Sequence, residues 1–309
     1  MWWYSFKPRS KTNHLLNIHK LNIHKGEMMF ANVGSRVLSA EDRAFWDENG
    51  YVIIHDAVPQ ANLAPVIEDI WEFLGVDRHD PEAWYRAPIS KAGMLEMYQT
   101  QSLWDNRQFP RVHQAFADIW DTEKLWVSFD RANMNPPARH DWDYQGMVHW
   151  DIDTSLDPLP KMVQGVLYLE DTSADQGGFQ CVTGFHNRFA EWVKTQPADR
   201  NPRHPNLEGM KVETIPGKAG DLLIWNSMLP HGNSRNRSNK PRLAQYITMS
   251  PAREDNEEER QLRVQAWREH KPPIGSAFPG DPRGFEQNRP TAELTDLGKK
   301  LLGLESWGA

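Results

Sequence analysis

From residue 125 to residue 248 the chain is cut into short β-prone runs, none long enough to be more than one strand of a larger sheet. The runs are 125–135, 163–170, 178–183, 210–215, 221–225 and 243–248, and clusters of Gly, Pro, Asn and Asp separate them. Pro136-Pro137 stops the first run, because proline removes a ladder donor. Short strands at irregular spacing with glycine-rich corners suit two packed antiparallel sheets better than alternating βαβ units. The expected fold is therefore mainly β with flanking helices, a double-stranded β-helix (jelly roll, cupin-like). No Gly-x-Gly-x-x-Gly or phosphate loop is present, so a nucleotide-binding fold has no support.

The flanks read as helical. Ser39 with Asp42 three residues later is a capping-box variant ahead of a helix over 40–48. Asn49-Gly50 turns the chain into a strand at Tyr51-Val52-Ile53-Ile54. Leu63, Val66, Ile67, Ile70, Trp71 and Leu74 fall on one helical face, which predicts a helix over 59–74. Further helices are expected at 112–121, 254–267 and 294–302, and the Glu257-Glu258-Glu259 run reads as a solvated face. The proline-rich stretch 272–290 should wrap the body without regular structure. Residues 36–309 are expected to form one jelly-roll domain with helical elaborations. Residues 1–35 have no acidic residue before Glu27 and write Leu-Asn-Ile-His-Lys twice, so they read as a disordered extension, with a transit peptide as the other reading and Met28 or Met29 as an alternative start.

Charge and cysteine content narrow the function. A net charge of -7 and a pI near 6.0 give no nucleic-acid footprint. A single cysteine, Cys181, excludes an intramolecular disulfide and a cysteine zinc site. No apolar run approaches the ~18 residues of a membrane span. The expectation is a cytoplasmic protein acting on a small molecule, with neither nucleic acid nor membrane as partner.

His149 and Asp151 are two apart, and in a strand such residues share a face. Alone, a His-x-Asp pair arises often by chance and reads as structural. His231, after the run Gly220-Asp221-Leu222-Leu223-Ile224-Trp225, offers a third donor. Two imidazoles and a carboxylate on one side of an iron leave coordination positions open for a cosubstrate and O2, the pattern of non-haem Fe(II) oxygenases. Arg242 heads the next run, eleven positions after His231. A guanidinium placed there can clamp a carboxylate through two parallel hydrogen bonds.

In these residues the chain resembles the phytanoyl-CoA dioxygenase family of Fe(II)/2-oxoglutarate-dependent oxygenases, over roughly residues 39–250. The resemblance rests on the opening Phe45-Trp46-Asp47-Glu48-Asn49-Gly50-Tyr51-Val52-Ile53, on His149 and Asp151, and on Gly165-Val166-Leu167-Tyr168-Leu169. The corner Gly177 to His186, the segment Gly220 to His231, and Arg242 complete it. Thr183 and Phe185 depart from the family's usual proline and serine in that corner. The resemblance implies Fe(II), 2-oxoglutarate and O2 as cofactor and cosubstrates, with release of succinate and CO2 and hydroxylation or desaturation of a carbon. It also implies that Asn133 reaches the 2-oxoglutarate carboxylate near the iron and that Asn233 helps. Related halogenases lack the carboxylate that Asp151 supplies. Trp142, Tyr144, Trp150 and Trp225 flank the metal segments and stand as candidate pocket walls, although core packing explains each equally well. Two other readings stay open: a non-catalytic jelly-roll binding protein that retains a metal pocket, and a zinc hydrolase, which has no use for Arg242.

Overall fold

The computed structural model describes residues 36–308 except 87, 89, 91, 274 and 276, so the reading of residues 1–35 lies outside the described residues. Ser39 caps α1 (Ala40–Asn49): its Oγ accepts from the Asp42 N–H at 3.1 Å, and the Asp42 carboxylate accepts from the Ser39 N–H at 2.9 Å. Gly50 ends the helix in the left-handed region at φ 76, where a Cβ would also lie 2.6 Å from His186 Nδ1. The chain turns there into β1 (Tyr51–Ile54). Next come α2 (Gln60–Leu74), α3 (Gln101–Arg107) and α4 (Pro110–Trp120), the last with proline in its first turn.

The β-rich half supplies β2 (Leu125–Val127), β3 (Ala132–Asn135), β4 (Val163–Tyr168), β5 (Phe179–Cys181), β6 (Glu213–Thr214), β7 (Leu222–Asn226), β8 (His231–Asn233), β9 (Arg242–Tyr246) and β10 (Met249–Pro251). A short α5 (Phe189–Trp192) follows β5, and α6 (Glu257–Arg268) and α7 (Asp296–Leu302) close the chain. Every strand pairing is antiparallel. The major sheet runs β1-β7-β4-β9-β3, the minor sheet β6-β5-β8, and β2 pairs with β10. Two antiparallel sheets flanked by helices form a jelly roll.

Period-two alternation sorts the major sheet's side chains into two layers. Leu222, Ile224, Val163, Leu167 and Leu243 join the helices in one apolar cluster. Leu223, Trp225, Val166, Tyr168 and Ala244 face the other way, into a second cluster shared with Phe179 and Cys181 of the minor sheet. That second, inner face carries the chemistry described below.

The structure departs from the sequence reading in three places. The run 125–135 is two strands, broken at 128–131, because β2 leaves the major sheet to pair with β10. The segment around His149 holds no strand; single bridges join it to β8 at His149–His231 and to the residue just past β8 at Gly146–Ser234. β8 itself and α3 carry no sequence signal strong enough to anticipate them, being short and polar-rich.

The stretch after α6 wraps the body irregularly, as its prolines suggest, and is tied down by charge. The buried Glu286 carboxylate accepts the backbone N–H groups of Tyr98 (2.8 Å) and Gln99 (2.5 Å), and Arg289 pairs with Asp69 (2.7 Å) and Glu72 (2.6 Å). Burial pushes the Glu286 carboxyl up to about 7, against the pull of those N–H groups. Glu286→Ala leaves two buried donors unpaired, at about 1–3 kcal/mol each. Thermal unfolding of this variant is expected roughly 5–10 °C below wild type; an unchanged Tm would show that the wrap contributes nothing to stability.

Candidate metal centre

His231 opens β8 and exchanges both backbone hydrogen bonds with His149, at 2.9 and 3.0 Å. The close approach needs a glycine beside it: a Cβ on Gly232 would lie 1.8 Å from the Met147 carbonyl oxygen. Backbone contact therefore sets the two imidazoles side by side, with ring centroids 5.0 Å apart. Asp151 completes the group, its Oδ1 3.2 Å from His149 Nε2 and its Oδ2 3.2 Å from His231 Nε2. One ligand atom from each residue lies within 4.8 Å of the other two, an arrangement that can hold a metal ion.

The tautomers fit a cation. His231 Nδ1 donates to the Leu229 carbonyl at 2.8 Å, an oxygen that can only accept. In the neutral ring, Nε2 then points a lone pair at Asp151 Oδ2. Two acceptors facing each other in a buried site repel unless a cation lies between them. Burial lowers the His149 pKa, against the pull of Asp151. Burial alone would raise the Asp151 carboxyl, but where the two imidazoles carry protons their hydrogen bonds and charge hold it well below the usual carboxylate range, a service that a bound cation would replace. The donor set is two imidazoles and a carboxylate.

Gln164, which the sequence reading passed over, is the residue behind the carboxylate. It sits on β4 with Val166 and Tyr168, facing inward, and its Nε2 donates to Asp151 Oδ2 at 2.7 Å. The only signal available was its polar side chain inside the apolar run 163–168. Arg203 donates to the Asp151 backbone carbonyl and fixes the chain there.

A cavity of about 90 Å³ opens over the group, lined by Tyr144, Met147, Phe179, Trp225, Asn233 and Tyr246 among others. Tyr144 and Trp225, two of the four candidate wall residues, are among its lining, and burial pushes the Tyr144 phenol up to about 12, so it stays a donor. Trp150 and Trp142 do not line it. Trp150 packs into an aromatic cluster with Phe185, Phe189 and Trp192, its Nε1 donating to the Met228 carbonyl, because it alternates with His149 and Asp151. Trp142 packs edge-on against Tyr85. Phe185, the departure from the family's serine, is one wall of that cluster.

Arg242 heads β9 on the face that carries Ala244 and Tyr246. It is 1 % exposed; Nε donates to the Gly177 carbonyl at 3.2 Å, while Nη1 and Nη2 have no hydrogen-bond partner among the described residues. Asn233 Oδ1 accepts the Tyr246 hydroxyl at 2.9 Å. Asn133 does not line the cavity. Its amide donates to the Ala92 carbonyl at 2.9 Å, and its Oδ1 is buried without a partner. Like Asn133, Arg242 is not among the residues that line the cavity. Of those that do, His149 Nδ1, Gln164 Oε1 and Trp225 Nε1 are buried without a hydrogen-bond partner among the described residues.

Fold and site together define a jelly-roll dioxygenase of the iron and 2-oxoglutarate class. The chain belongs to the phytanoyl-CoA dioxygenase (PhyH) family, whose profile matches residues 46–244. It is similar to Ava biosynthesis cluster protein O of Aspergillus versicolor, 29% identical over 233 residues that cover 66% of this chain and 75% of that protein. In fold it is similar to GlcNAc Inducible Gene 2 of Candida albicans, with a TM-score of 0.67 at 13% identity, covering 88% of this chain and 78% of that one. It is also similar to the epimerase SnoN in complex with Fe3+, alpha ketoglutarate and nogalamycin RO, with a TM-score of 0.51 at 16% identity, covering 69% of this chain and 83% of that one. Among the described residues no helix is long and apolar enough to cross a membrane.

Removing the hydrogen bond behind a metal ligand commonly costs ~10–100-fold in metal affinity. Gln164→Leu is expected to weaken Fe(II) binding within that range, read by quenching of tryptophan fluorescence under argon. Wild-type affinity in the variant would mean that Asp151 is held in place without Gln164.

Proposed function

We propose that this protein is an Fe(II)- and 2-oxoglutarate-dependent dioxygenase that hydroxylates an unactivated carbon of a small molecule, with succinate and CO2 as co-products. The observation that carries this reading is the buried, half-used guanidinium of Arg242. A charge so placed is costly unless paired, and two free parallel N–H donors match one carboxylate. A dicarboxylate cosubstrate supplies it.

In this reading His149, Asp151 and His231 hold the iron and Arg242 receives the remote carboxylate of 2-oxoglutarate. When bound, the ferrous ion with 2-oxoglutarate and O2 supplies the oxidant for a C–H bond. The chain's own part is placement and exclusion of water. Gln164 aims the carboxylate and the Leu229 carbonyl aims His231. Phe179, stacked on His231 at 6.1 Å, and Trp225, at 5.0 Å, wall the site with apolar rings. Tyr144 offers a protonated hydroxyl within the cavity, and Asn233 fixes Tyr246 beside it. Asn133 acts by holding the segment that carries Ala92 and Met94 to the cavity wall, in place of touching the cosubstrate. Asp151 occupies a coordination position that halide transfer would require to be open, which favours hydroxylation. The family's dioxygenase description and the Fe3+ and alpha ketoglutarate carried by SnoN support the same assignment.

Protein reconstituted under argon with Fe(II), then given 2-oxoglutarate and O2, is expected to form succinate. Arg242→Ala should raise the KM for 2-oxoglutarate by roughly 10–100-fold, the worth of a charge-assisted hydrogen-bond pair, with Fe(II) affinity unchanged. Loss of iron with an unchanged KM would contradict the role given to Arg242.

A further inference from the structure

The metal cavity is too small for the reaction assigned to it. At about 90 Å³ it falls below the ~300–1,000 Å³ of ordinary small-molecule sites, and the cosubstrate claims that space. A second cavity of about 330 Å³ adjoins it, between α6 and the link from β2 to β3. Its walls include Phe129, Leu262, Ala266, Pro272 and Phe278. One residue lines both cavities: Asp130, which sits where the expected strand 125–135 breaks.

Asp130 is only partly neutralised. Its Oδ1 accepts the Arg131 N–H at 2.8 Å, but the Arg131 guanidinium lies 3.8 Å from it and bonds Glu96 at 2.6 Å. Oδ2 accepts no hydrogen bond among the described residues, and it is not fully closed off from the cavity it lines. Burial raises the Asp130 carboxyl, as expected for a charge short of solvation. Around the larger cavity the carboxylates of Asp130, Glu258 and Glu259 face the guanidiniums of Arg253 and Arg263, and Arg253 is already bound to Glu259 at 2.5 Å. Of these three carboxylates the least solvated is the one at the junction, where Arg131 at 3.8 Å is its nearest cation.

We propose that the second cavity is the prime-substrate chamber and that it takes a molecule with an apolar body and a basic nitrogen, which Asp130 receives at the mouth of the metal site. This rests on the reading of the first cavity as the iron and 2-oxoglutarate site. Apolar walls hold the body, and the ammonium group, bound to Oδ2, sets which carbon lies over the metal.

The chamber can be tested without turnover. Metal-free protein is titrated with N-phenylnaphthylamine, whose fluorescence rises in apolar surroundings, and the probe is displaced with phenethylamine, phenethyl alcohol and ethylbenzene. The amine should displace it at concentrations roughly tenfold or more below either neutral compound, the worth of a buried charge-assisted hydrogen bond. Asp130→Asn, which keeps an acceptor for Arg131, should bring the amine level with the alcohol. Leu262→Trp, which fills the chamber from α6, should abolish probe binding. Equal displacement by all three compounds in wild type overturns the role of Asp130. Probe binding that is absent from wild type, or that survives Leu262→Trp, overturns the chamber. Succinate formation by wild type is measured separately, so failure of the dioxygenase reading is distinguishable from failure of the chamber.

Discussion

Two backbone hydrogen bonds between His149 and His231 hold the site together. They join a loop with no strand of its own to the edge of the minor sheet, and they work only because Gly232 lets the Met147 carbonyl come in where a Cβ would stand. Given that contact, the rest follows from short-range chemistry. The imidazoles lie side by side, Asp151 falls between them, and the Leu229 carbonyl leaves His231 Nε2 with a lone pair facing a carboxylate. The pocket is electrostatically incomplete as an all-protein object, and a divalent cation completes it.

Strand alternation then does for the second half of the site what the bridge does for the first. On β4, β7 and β9 the outward residues bind helices, while the inward ones form the second apolar cluster and three of them reach the cavity. Gln164, Trp225 and Tyr246 are all inward residues of the major sheet, and Arg242 shares the Tyr246 face. A guanidinium thus stays buried with its terminal nitrogens unspent. Proteins rarely tolerate this except where a ligand anion is expected.

How much of this the sequence made legible depends on how local each signal is. The helices at 40–48 and 59–74 were readable because caps and apolar periodicity lie within a few residues of one another. The strands β1, β4, β7 and β9 were readable from composition. The three candidate ligands were found by residue type and order. Their convergence depends on a bridge between residues 82 positions apart, which no local pattern encodes. For Trp150 the two readings, pocket wall and core packing, stay equal in the sequence for the same reason: its neighbours face the metal group while its own ring packs into the aromatic cluster. Gln164 and Asp130 were invisible because each is an ordinary polar residue whose role comes from what the fold places beside it.

The central claim is that one buried site binds a ferrous ion and 2-oxoglutarate together. Visible absorption measured without oxygen tests it most directly, since chelation of Fe(II) by a 2-oxo acid produces a charge-transfer band that neither gives alone. Wild-type protein with Fe(II) should develop that band on adding 2-oxoglutarate. Protein that binds Fe(II) stoichiometrically yet never shows the band would contradict the account.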